Sequence, residues 1–326
     1  MNVPELTIGI PTYNGQMFLS EVLENVIREA KGKNVEVLVM DNASVDRTSE
    51  IAMDYQSRHP EIVRYVRNDK NVGFDGNVDS IARNAKGGFV WFLADDDYLL
   101  PGSVDHVLGI VRKNPDLALI FANFSNWIDL GLSEDVLCHG GNQFFKVDRF
   151  KNGLISSNIV NRKMWSDLDM KRFDGCLWIH FAYAIQAMAP KDGRKGFVTA
   201  QELIMQGTTP RWGKGGSSLQ VGLKLVQLFS NMEQLGYSHE IKRKGDFVIK
   251  GRYLREIPWA KVNGLKVDSE LFGQMRKLYG SYPSFWLKDV PLLAVPGGFY
   301  RWIFNRFYTA KNRSDDNANT GTSDHN

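Results

Sequence analysis

The chain has 326 residues, of which 43% are hydrophobic and 24% charged, and it contains only two cysteines. This length allows one large domain or two small ones with a substantial core. The cysteine content excludes a disulfide framework or a cysteine-rich zinc site and suits a reducing compartment. The formal net charge of +3 argues against nucleic-acid binding through bulk charge, and the pattern indicates no nucleic-acid recognition fold.

Charge is unevenly distributed along the chain. Residues 1–239 carry a net charge of −3, residues 240–313 carry +9, and the last thirteen residues carry −3. The chain begins with a strand-like run rather than a signal peptide, and no apolar stretch approaches the ~20 residues needed to span a bilayer. We therefore expect a cytoplasmic protein that is either soluble or peripheral on the inner face of the membrane.

Two hydrophobic periodicities alternate over the first part of the chain. Short apolar runs typical of strands occur at Leu6–Ile10, Val35–Met40, Ile62–Val66, Phe89–Leu93 and Leu117–Phe121. Stretches with helical spacing lie between these runs. The alternation predicts an α/β fold with a mostly parallel sheet flanked by helices on both faces. Ligands bind such sheets at the carboxyl ends of the strands.

The rest of the chain is less regular. The pattern predicts a loop at Gly131–Asn142, a helix near Trp178–Met188 and a strand at Phe197–Met205. From Leu219 onward it becomes helical, including the stretch Phe247–Leu254. The polar run 312–326 has almost no apolar residue, so we expect a disordered tail.

The turn after the first strand reads Pro11-Thr12-Tyr13-Asn14-Gly15. Pro11 ends the ladder, Asn14 can cap a helix, and the Tyr13 ring could stack on a base or sugar. The same residues also fit an ordinary strand-to-helix turn.

Asp41 ends the second strand, where its carboxylate could accept hydrogen bonds from a ribose or a base imide. Asp46, a little further on, fits the role of a helix N-cap. After the third strand, Asn71 and Gly73 suit a tight turn into a helix whose amide groups point toward the crevice. This turn could equally be a simple capped helix start.

The fourth strand ends in the most informative run of the chain, Asp95-Asp96-Asp97, followed by Pro101-Gly102. Three adjacent carboxylates repel one another and are costly at the end of an apolar strand unless a cation or several donors offset them. Hard oxygen ligands favour Mg²⁺ or Mn²⁺, which in turn bind phosphate oxygens. A solvated acidic turn is the alternative interpretation.

Together these segments resemble the family-2 glycosyltransferases, which have the GT-A fold. The residues that carry the resemblance are Pro11-Thr12-Tyr13-Asn14, Asp41-Asn42-Ala43-Ser44-Val45-Asp46, Asn71-Val72-Gly73 and Phe92-Leu93-Ala94-Asp95-Asp96-Asp97 with Pro101-Gly102. Order and spacing both fit over residues 5–125. The resemblance implies a GT-A catalytic domain at 1–215, with a nucleotide-sugar half at 1–125 and an acceptor half at 126–215. A basic helical region would follow at 216–311.

The resemblance also implies roles for individual residues. The Thr12-Tyr13 turn and Asp41 would hold the nucleoside, Asp95 would lie near the ribose, and Asp96 would ligate Mn²⁺ or Mg²⁺ on the donor diphosphate. Asp97 is the second candidate ligand. The chain departs from the family in having Ala94 where the aspartate–any–aspartate signature usually begins, and the register against Pro101 assigns the metal to Asp96.

An inverting transfer needs a base that takes the proton of the attacking acceptor hydroxyl. The family's usual Glu-Asp pair is missing, and the corresponding stretch offers Asp174 and His180. Asp174 fits an N-cap as well as a base, and His180 fits either a hydrogen-bonded helix residue or a group that titrates near neutrality.

Two further segments carry candidate functions. The loop 208–218 contains Arg211 and Lys214, which could close over the donor diphosphate, or it could be a linker. Residues 287–311 mix aromatic and basic side chains, which suits either contact with an anionic membrane or packing inside the protein.

We predict a metal-dependent inverting glycosyltransferase that moves a sugar from a nucleoside-diphosphate donor to a surface-glycan acceptor, such as an O-antigen or capsule precursor. A polyprenyl-diphosphate-linked acceptor would give the membrane contact a use. The alternatives are a sugar nucleotidyltransferase, which would need a Gly-rich basic loop after the first strand, and a degenerate nucleotide- or glycan-binding module.

Overall fold

The computed structural model describes residues 3–125, 130–207, 217–245 and 256–306. These residues fall into two compact units. The first comprises 1–210 with 228–246, and the second comprises 211–227 with 247–326. The predicted helical stretch Phe247–Leu254 and the predicted polar tail 312–326 lie outside the described residues.

The first half of the chain alternates strands and helices as the sequence predicts. The strands are β1 (Leu6–Thr12), β2 (Val35–Asp41), β3 (Val63–Arg67), β4 (Phe89–Phe92), β5 (Tyr98–Leu99) and β6 (Leu119–Phe124). The helices are α1 (Leu19–Ala30), α2 (Thr48–Arg58), α3 (Gly73–Asn84) and α4 (Ser103–Lys113). In α1, Leu19, Val22, Leu23, Val26 and Ile27 are buried because their spacing places them on one face.

The second half of the first unit completes the sheet. It contributes β7 (Val136–His139), α5 (Gly141–Val147), β8 (Asn158–Asn161), α6 (Arg162–Asp167), α7 (Ile179–Ala187) and β9 (Lys195–Met205). The predicted helix and strand near 178–205 are confirmed. The predicted loop at Gly131–Asn142 is wrong in part, because β7 pairs antiparallel with β9 there and α5 begins at Gly141.

The sheet is parallel on one side and mixed on the other. Its strand order is β3-β2-β1-β4-β8-β6-β9-β5, with β7 also on β9. The first four strands in this order are parallel, whereas β8 runs antiparallel to both β4 and β6. The carboxyl ends of β1 to β4 therefore meet at one edge.

An aromatic cluster explains why residues 228–246 belong to the first unit. Phe229, at the end of α8 (Ser217–Phe229), packs on Phe150 and Phe181, and Tyr237 packs on Phe145. The structure thus differs from the predicted single boundary at 215/216, since burial of these rings returns the chain to the first unit.

The second unit is helical over its described residues. It contains α9 (Ile257–Val262), α10 (Ser269–Tyr279), a π-helical turn (Phe285–Asp289) and α11 (Val290–Ala294), and residues 297–306 are also helical. Among the residues that the structure describes, no helix is both long enough and apolar enough to cross a membrane.

A buried carboxyl group lies in the loop between α5 and β8. Asp148 is completely buried, and its Oδ1 accepts a hydrogen bond from the Phe150 backbone amide. Burial raises the pKa of Asp148 to about 7. The folded protein therefore holds a proton here between about pH 4 and pH 7 that the unfolded chain releases.

This linkage predicts that Asp148→Asn stabilises the protein increasingly as the pH rises. Wild-type stability falls from pH 4 to pH 7 because the unfolded chain ionises Asp148 over this range while the folded protein keeps it protonated, whereas Asn does not titrate. We expect the variant to gain up to about 4 kcal/mol at pH 8 and little at pH 4. Urea unfolding at several pH values tests this, with the exposed Asp54→Asn as control; a gain that does not depend on pH would contradict it.

Candidate active site

The carboxyl ends of three parallel strands lie level with one another at the sheet edge. Thr12 of β1 pairs with Asp41 of β2, which pairs with Arg67 of β3. The strand β4 ends three residues lower, at Phe92 opposite Gly9. Each residue of an extended chain adds a similar length along the strand. The three residues that follow Phe92 therefore bring the chain to the height of Thr12 and Asp41, where the aspartate run 95–97 begins.

The turns after β1 and β2 are joined by hydrogen bonds. The Asn14 amide donates to Ser44 Oγ at 2.9 Å, and Asn14 Oδ1 accepts from the Val45 amide at 2.9 Å. The Gly15 amide donates to Thr48 Oγ1 at 2.8 Å. Asn14 has a φ of 52°, a left-handed conformation that Asn tolerates better than most residues. Pro11 lies within β1, and Tyr13 remains exposed.

Asp41 is fully buried and accepts three hydrogen bonds. Its Oδ1 accepts from the Ser44 amide, and its Oδ2 accepts from the Tyr65 hydroxyl and from Arg67 Nη1, each at 2.8 Å. Arg67 also donates to the Ser44 carbonyl and keeps 41% of its side chain exposed. Burial, followed by the hydrogen bond to Asp41, raises the pKa of Tyr65. Asp41 thus fixes Tyr65 and Arg67 at the sheet edge.

A network of amide side chains joins the turn after β2 to the turn after β3. Asn42 is buried, and its Nδ2 donates to Asn71 Oδ1 at 2.9 Å and to the Gly73 carbonyl at 3.1 Å. Its Oδ1 accepts from the Val72 amide and from Asn68 Nδ2. The predicted binding residues Asn71 and Gly73 are therefore held at the start of α3, next to the end of β2.

Asp95 is attached to the turn after β1. Thr12 Oγ1 donates to Asp95 Oδ2 at 2.6 Å, and Asp95 is buried. Gly15 lies so close that a Cβ there would be 2.3 Å from Thr12 Oγ1 and 2.6 Å from Asp95 Oδ2. A residue larger than glycine would therefore disturb the contact that places Asp95.

Asp97 is attached to two segments from the second half of the sheet. Its Oδ2 accepts from Ser156 Oγ at 2.6 Å and its Oδ1 from the Gly207 amide at 3.1 Å. Burial raises the pKa of Asp97, and the charge of Asp95 adds to this effect. Asp96 is half-buried between these two residues. Gly207 approaches the Asp96 carbonyl so closely that a Cβ would lie 1.9 Å from it.

The segment that carries the base candidates is held by Asp75 of α3. Asp75 is buried, and its carboxylate accepts from the Leu177 amide at 2.6 Å and from the Ile179 amide at 3.1 Å. Burial raises the pKa of Asp75. Gly175 and Leu177 both have left-handed backbones, with φ of 78° and 64°. Asp75 thus caps α7 and holds a strained loop that begins at the exposed Asp174.

His180 lies in the first turn of α7 and is buried. Its Nε2 lies 2.9 Å from the Gly153 carbonyl; because a carbonyl only accepts, Nε2 carries the proton. Nδ1 is buried and has no hydrogen-bond partner. Burial lowers the pKa of His180 to about 4, so the ring is neutral at pH 7.

These contacts form a closed circuit around one end of the sheet. Its six links are Thr12 to Asp95, Asn14 and Gly15 to Ser44 and Thr48, Asn42 to Asn71 and Gly73, Asp75 to Leu177 and Ile179, His180 to Gly153, and Ser156 to Asp97. Residues 153 and 156 are close in sequence and complete it. The circuit includes most of the predicted site segments; Arg211 and Lys214 lie outside the described residues.

Sequence reasoning missed several residues that hold this site together. The sequence pattern assigns no role to Asp75, Ser156, Gly207 or Arg67. Asp75 was detectable in principle as an acid in the first turn of a helix whose neighbours are candidate binding residues. Ser156 and Gly207 carry no sequence signal, because their partners lie 59 and 110 residues away.

The architecture, a mixed sheet flanked by helices with its polar residues after the parallel strands, is the GT-A class of fold. Residues 1–349 of S. aureus TarS in complex with UDP align with a TM-score of 0.60 over 91% of each chain, at 15% identity. Mannosyltransferase PcManGT of Pyrobaculum calidifontis, solved with GDP-Man and Mn²⁺, aligns with a TM-score of 0.55 over 94% of this chain and 88% of that chain, at 16% identity.

Sequence comparison gives a family match over part of the chain. Residues 7–157, just under half of the chain, match the model of glycosyl transferase family 2, and over this segment the chain is similar to that family. The GalNAc(5)-diNAcBac-PP-undecaprenol beta-1,3-glucosyltransferase of Campylobacter jejuni is 25% identical over 193 residues, which cover 55% of this chain and 60% of that relative. The match thus spans less than two thirds of the relative's length.

The Asp75 contacts predict that Asp75→Ala loosens the start of α7. Two amide groups lose their acceptor, and we expect the free energy of unfolding to fall by about 1–2 kcal/mol. Hydrogen exchange at the Leu177 and Ile179 amides should accelerate. Asp75→Asn keeps one acceptor oxygen and should give a smaller effect, and the exposed Asp69→Ala is the control. Unchanged exchange at both amides would show that Asp75 does not hold the loop.

Proposed function

We propose that this protein transfers a sugar from a nucleoside-diphosphate donor to a hydroxyl group of a surface-glycan acceptor, with inversion at the anomeric carbon. The observation that carries the proposal is the hydrogen-bonded circuit. It gathers the turns after β1 and β2, the aspartate run 95–97 and the segment 174–180 at one end of the sheet. These are the four parts that donor binding, leaving-group stabilisation and acceptor activation require.

On the donor side, Asp41 and Arg67 would lie next to the bound nucleoside. Because all three hydrogen bonds to Asp41 come from the protein, Asp41 would act on the donor mainly by fixing Tyr65 and the partly exposed Arg67. Tyr13, which follows the Asp41 pairing partner Thr12, is exposed and offers a ring for stacking. Asp95, fixed by Thr12, would face the ribose.

Asp96 is the carboxylate that we assign to a divalent cation, because it is half-buried in the aspartate run that follows β4. Across the described ranges, no group of three or more His, Cys, Asp or Glu residues could hold a metal alone. One or two carboxylates with substrate phosphates are, however, a common way to bind Mg²⁺. Bound Mn²⁺ or Mg²⁺ would supply charge neutralisation for the departing diphosphate. Asp97 keeps further lone pairs and remains a second predicted ligand.

Asp174 is the base that we favour. It is exposed, and it begins the loop that Asp75 holds against α3. A carboxylate here could accept the proton of an acceptor hydroxyl as the oxygen attacks the anomeric carbon. His180 is the second candidate, since the lone pair of its Nδ1 has no partner. His180 is buried, so an acceptor hydroxyl reaches it less readily than the exposed Asp174.

The acceptor that we favour is a glycan on a polyprenyl-diphosphate carrier. The Campylobacter relative is named for a substrate with an undecaprenol diphosphate, which supports this class of acceptor. The basic and aromatic segment 287–311 would then contact the membrane that holds the carrier.

The proposed metal role predicts that Asp96→Ala abolishes metal-dependent donor binding. The donor is identified first, by a thermal-shift screen of UDP-, GDP-, CMP-, CDP- and dTDP-sugars with Mn²⁺. A donor present at a hundred times its Kd raises the free energy of unfolding by ~2.7 kcal/mol. Calorimetry with and without Mn²⁺ should then show at least about tenfold weaker binding for Asp96→Ala, equivalent to ~1.4 kcal/mol. Asp105→Ala, which removes an exposed acid of the first unit outside the aspartate run, is the control. If donor binding depends on Mn²⁺ equally in both variants, Asp96 is not a metal ligand.

The base assignment predicts that Asp174→Asn lowers the turnover number by about 10²–10⁴-fold while the donor affinity stays the same. His180→Asn should retain most of the turnover if Asp174 is the base, and the reverse pattern would transfer the role to His180. Because His180 is buried, thermal unfolding must show that its variant is folded. Donor binding without transfer to any lipid-linked glycan would instead favour a degenerate binding module.

A further inference from the structure

The tryptophans of the two units differ in exposure. Trp91 and Trp165 of the first unit are fully buried. In the second unit, Trp259, Trp286 and Trp302 are 48%, 46% and 57% exposed. Exposing a single large apolar ring is ordinary, but several in about fifty residues indicate a surface that meets another phase or molecule.

Three of the exposed side chains form a stripe on one helix face. Residues 297–306 are helical, and Phe299, Trp302 and Arg306 follow one another at helical spacings of three and four. The Phe299 and Trp302 rings stack with centroids 5.9 Å apart, and Arg306 lies 5.8 Å from the centre of the Trp302 ring. Tyr300, on another face of this helix, is buried, and its hydroxyl donates a hydrogen bond to the Leu292 carbonyl. We call Phe299, Trp302 and Arg306 the aromatic stripe.

Between residues 284 and 306, the exposed charged side chains are all basic. Lys288, Arg301 and Arg306 are exposed, whereas the nearby acid Asp289 is buried. Leu287, next to Trp286, is 78% exposed. Over the sequence 240–313 the net charge is +9. Exposed apolar rings and exposed cations therefore occur together in this part of the second unit.

We propose that the aromatic stripe, with Trp286 and Leu287, is a docking surface for a membrane that contains anionic lipids. Indole rings prefer the headgroup region, where an apolar body and a polar N–H are both accommodated. Lysine and arginine beside them gain from the negative surface potential. A second copy of this chain is a poorer occupant, because a symmetric contact would bring the same cations together.

The use of this surface rests on the proposed function, since it would hold the catalytic unit near a lipid-linked acceptor. Binding to lipid is measurable without donor or acceptor. The two proposals can therefore fail separately.

The test is sedimentation of the full chain with vesicles of phosphatidylcholine alone or with about 30% phosphatidylglycerol. We expect binding to the anionic vesicles that weakens as salt rises from about 0.1 M to about 0.5 M. Phe299→Ser combined with Trp302→Ser should reduce binding about tenfold by removing the inserted rings. Met53→Ser, which removes an exposed apolar side chain of the first unit, should not. Arg301→Gln combined with Arg306→Gln should remove the preference for anionic lipid, with Lys113→Gln as control.

Equal vesicle binding by the double serine variant and the wild type would overturn the proposal, as would no binding at all by the folded wild type. A concentration-dependent dimer that the serine substitutions dissociate would also overturn it, in favour of self-association. The thermal-shift response to the donor, recorded on the same variants, separates the proposals. If the double serine variant keeps its thermal-shift response to the donor but loses vesicle binding, both proposals are supported. If the wild type shows no response to any donor but still binds vesicles, only the docking surface is supported.

Discussion

Burying a carboxylate demands hydrogen-bond donors, and in this molecule that demand connects distant segments. Asp75 takes its donors from residues 177 and 179, Asp95 from Thr12, and Asp97 from Ser156 and Gly207. Leaving any one unpartnered would cost far more than a typical hydrogen bond contributes. The hydrogen bonds of Asp75 and Asp97 therefore join the parallel half of the sheet to segments from the second half of the first unit.

The need for hydrogen-bond donors gives the three aspartates of the run 95–97 different surroundings. Asp95 and Asp97 point to donors on either side, so that the repulsion among three adjacent negative charges is partly offset by the protein itself. Asp96, half-buried between them, has glycine rather than a bulkier residue next to its carbonyl. The hydrogen bonds of Asp95 and Asp97 hold the turn in place on both sides of Asp96.

The sequence was sufficient for the parallel half of the sheet because each element there carries its own periodicity and its own polar turn. The mainly apolar runs at residues 6–10, 35–40 and 89–92 predict the strands, and the parallel pairing of these strands brings their carboxyl ends to one edge of the sheet. The strand at Val136–His139 was missed because it is short, half-buried and paired only with β9. Ser156 and Gly207 were missed for a deeper reason: their role exists only through contacts across the fold, and no local pattern encodes it.

Under the proposed function, the geometry has a thermodynamic consequence for donor and metal. Because the described residues contain no group of three or more potential metal ligands, the donor phosphates would complete the coordination of the cation. Each ligand then completes the other's site, so donor and metal must raise each other's affinity by the same factor. A substitution that frees Asp95, such as one at Gly15, would alter both affinities without touching either ligand.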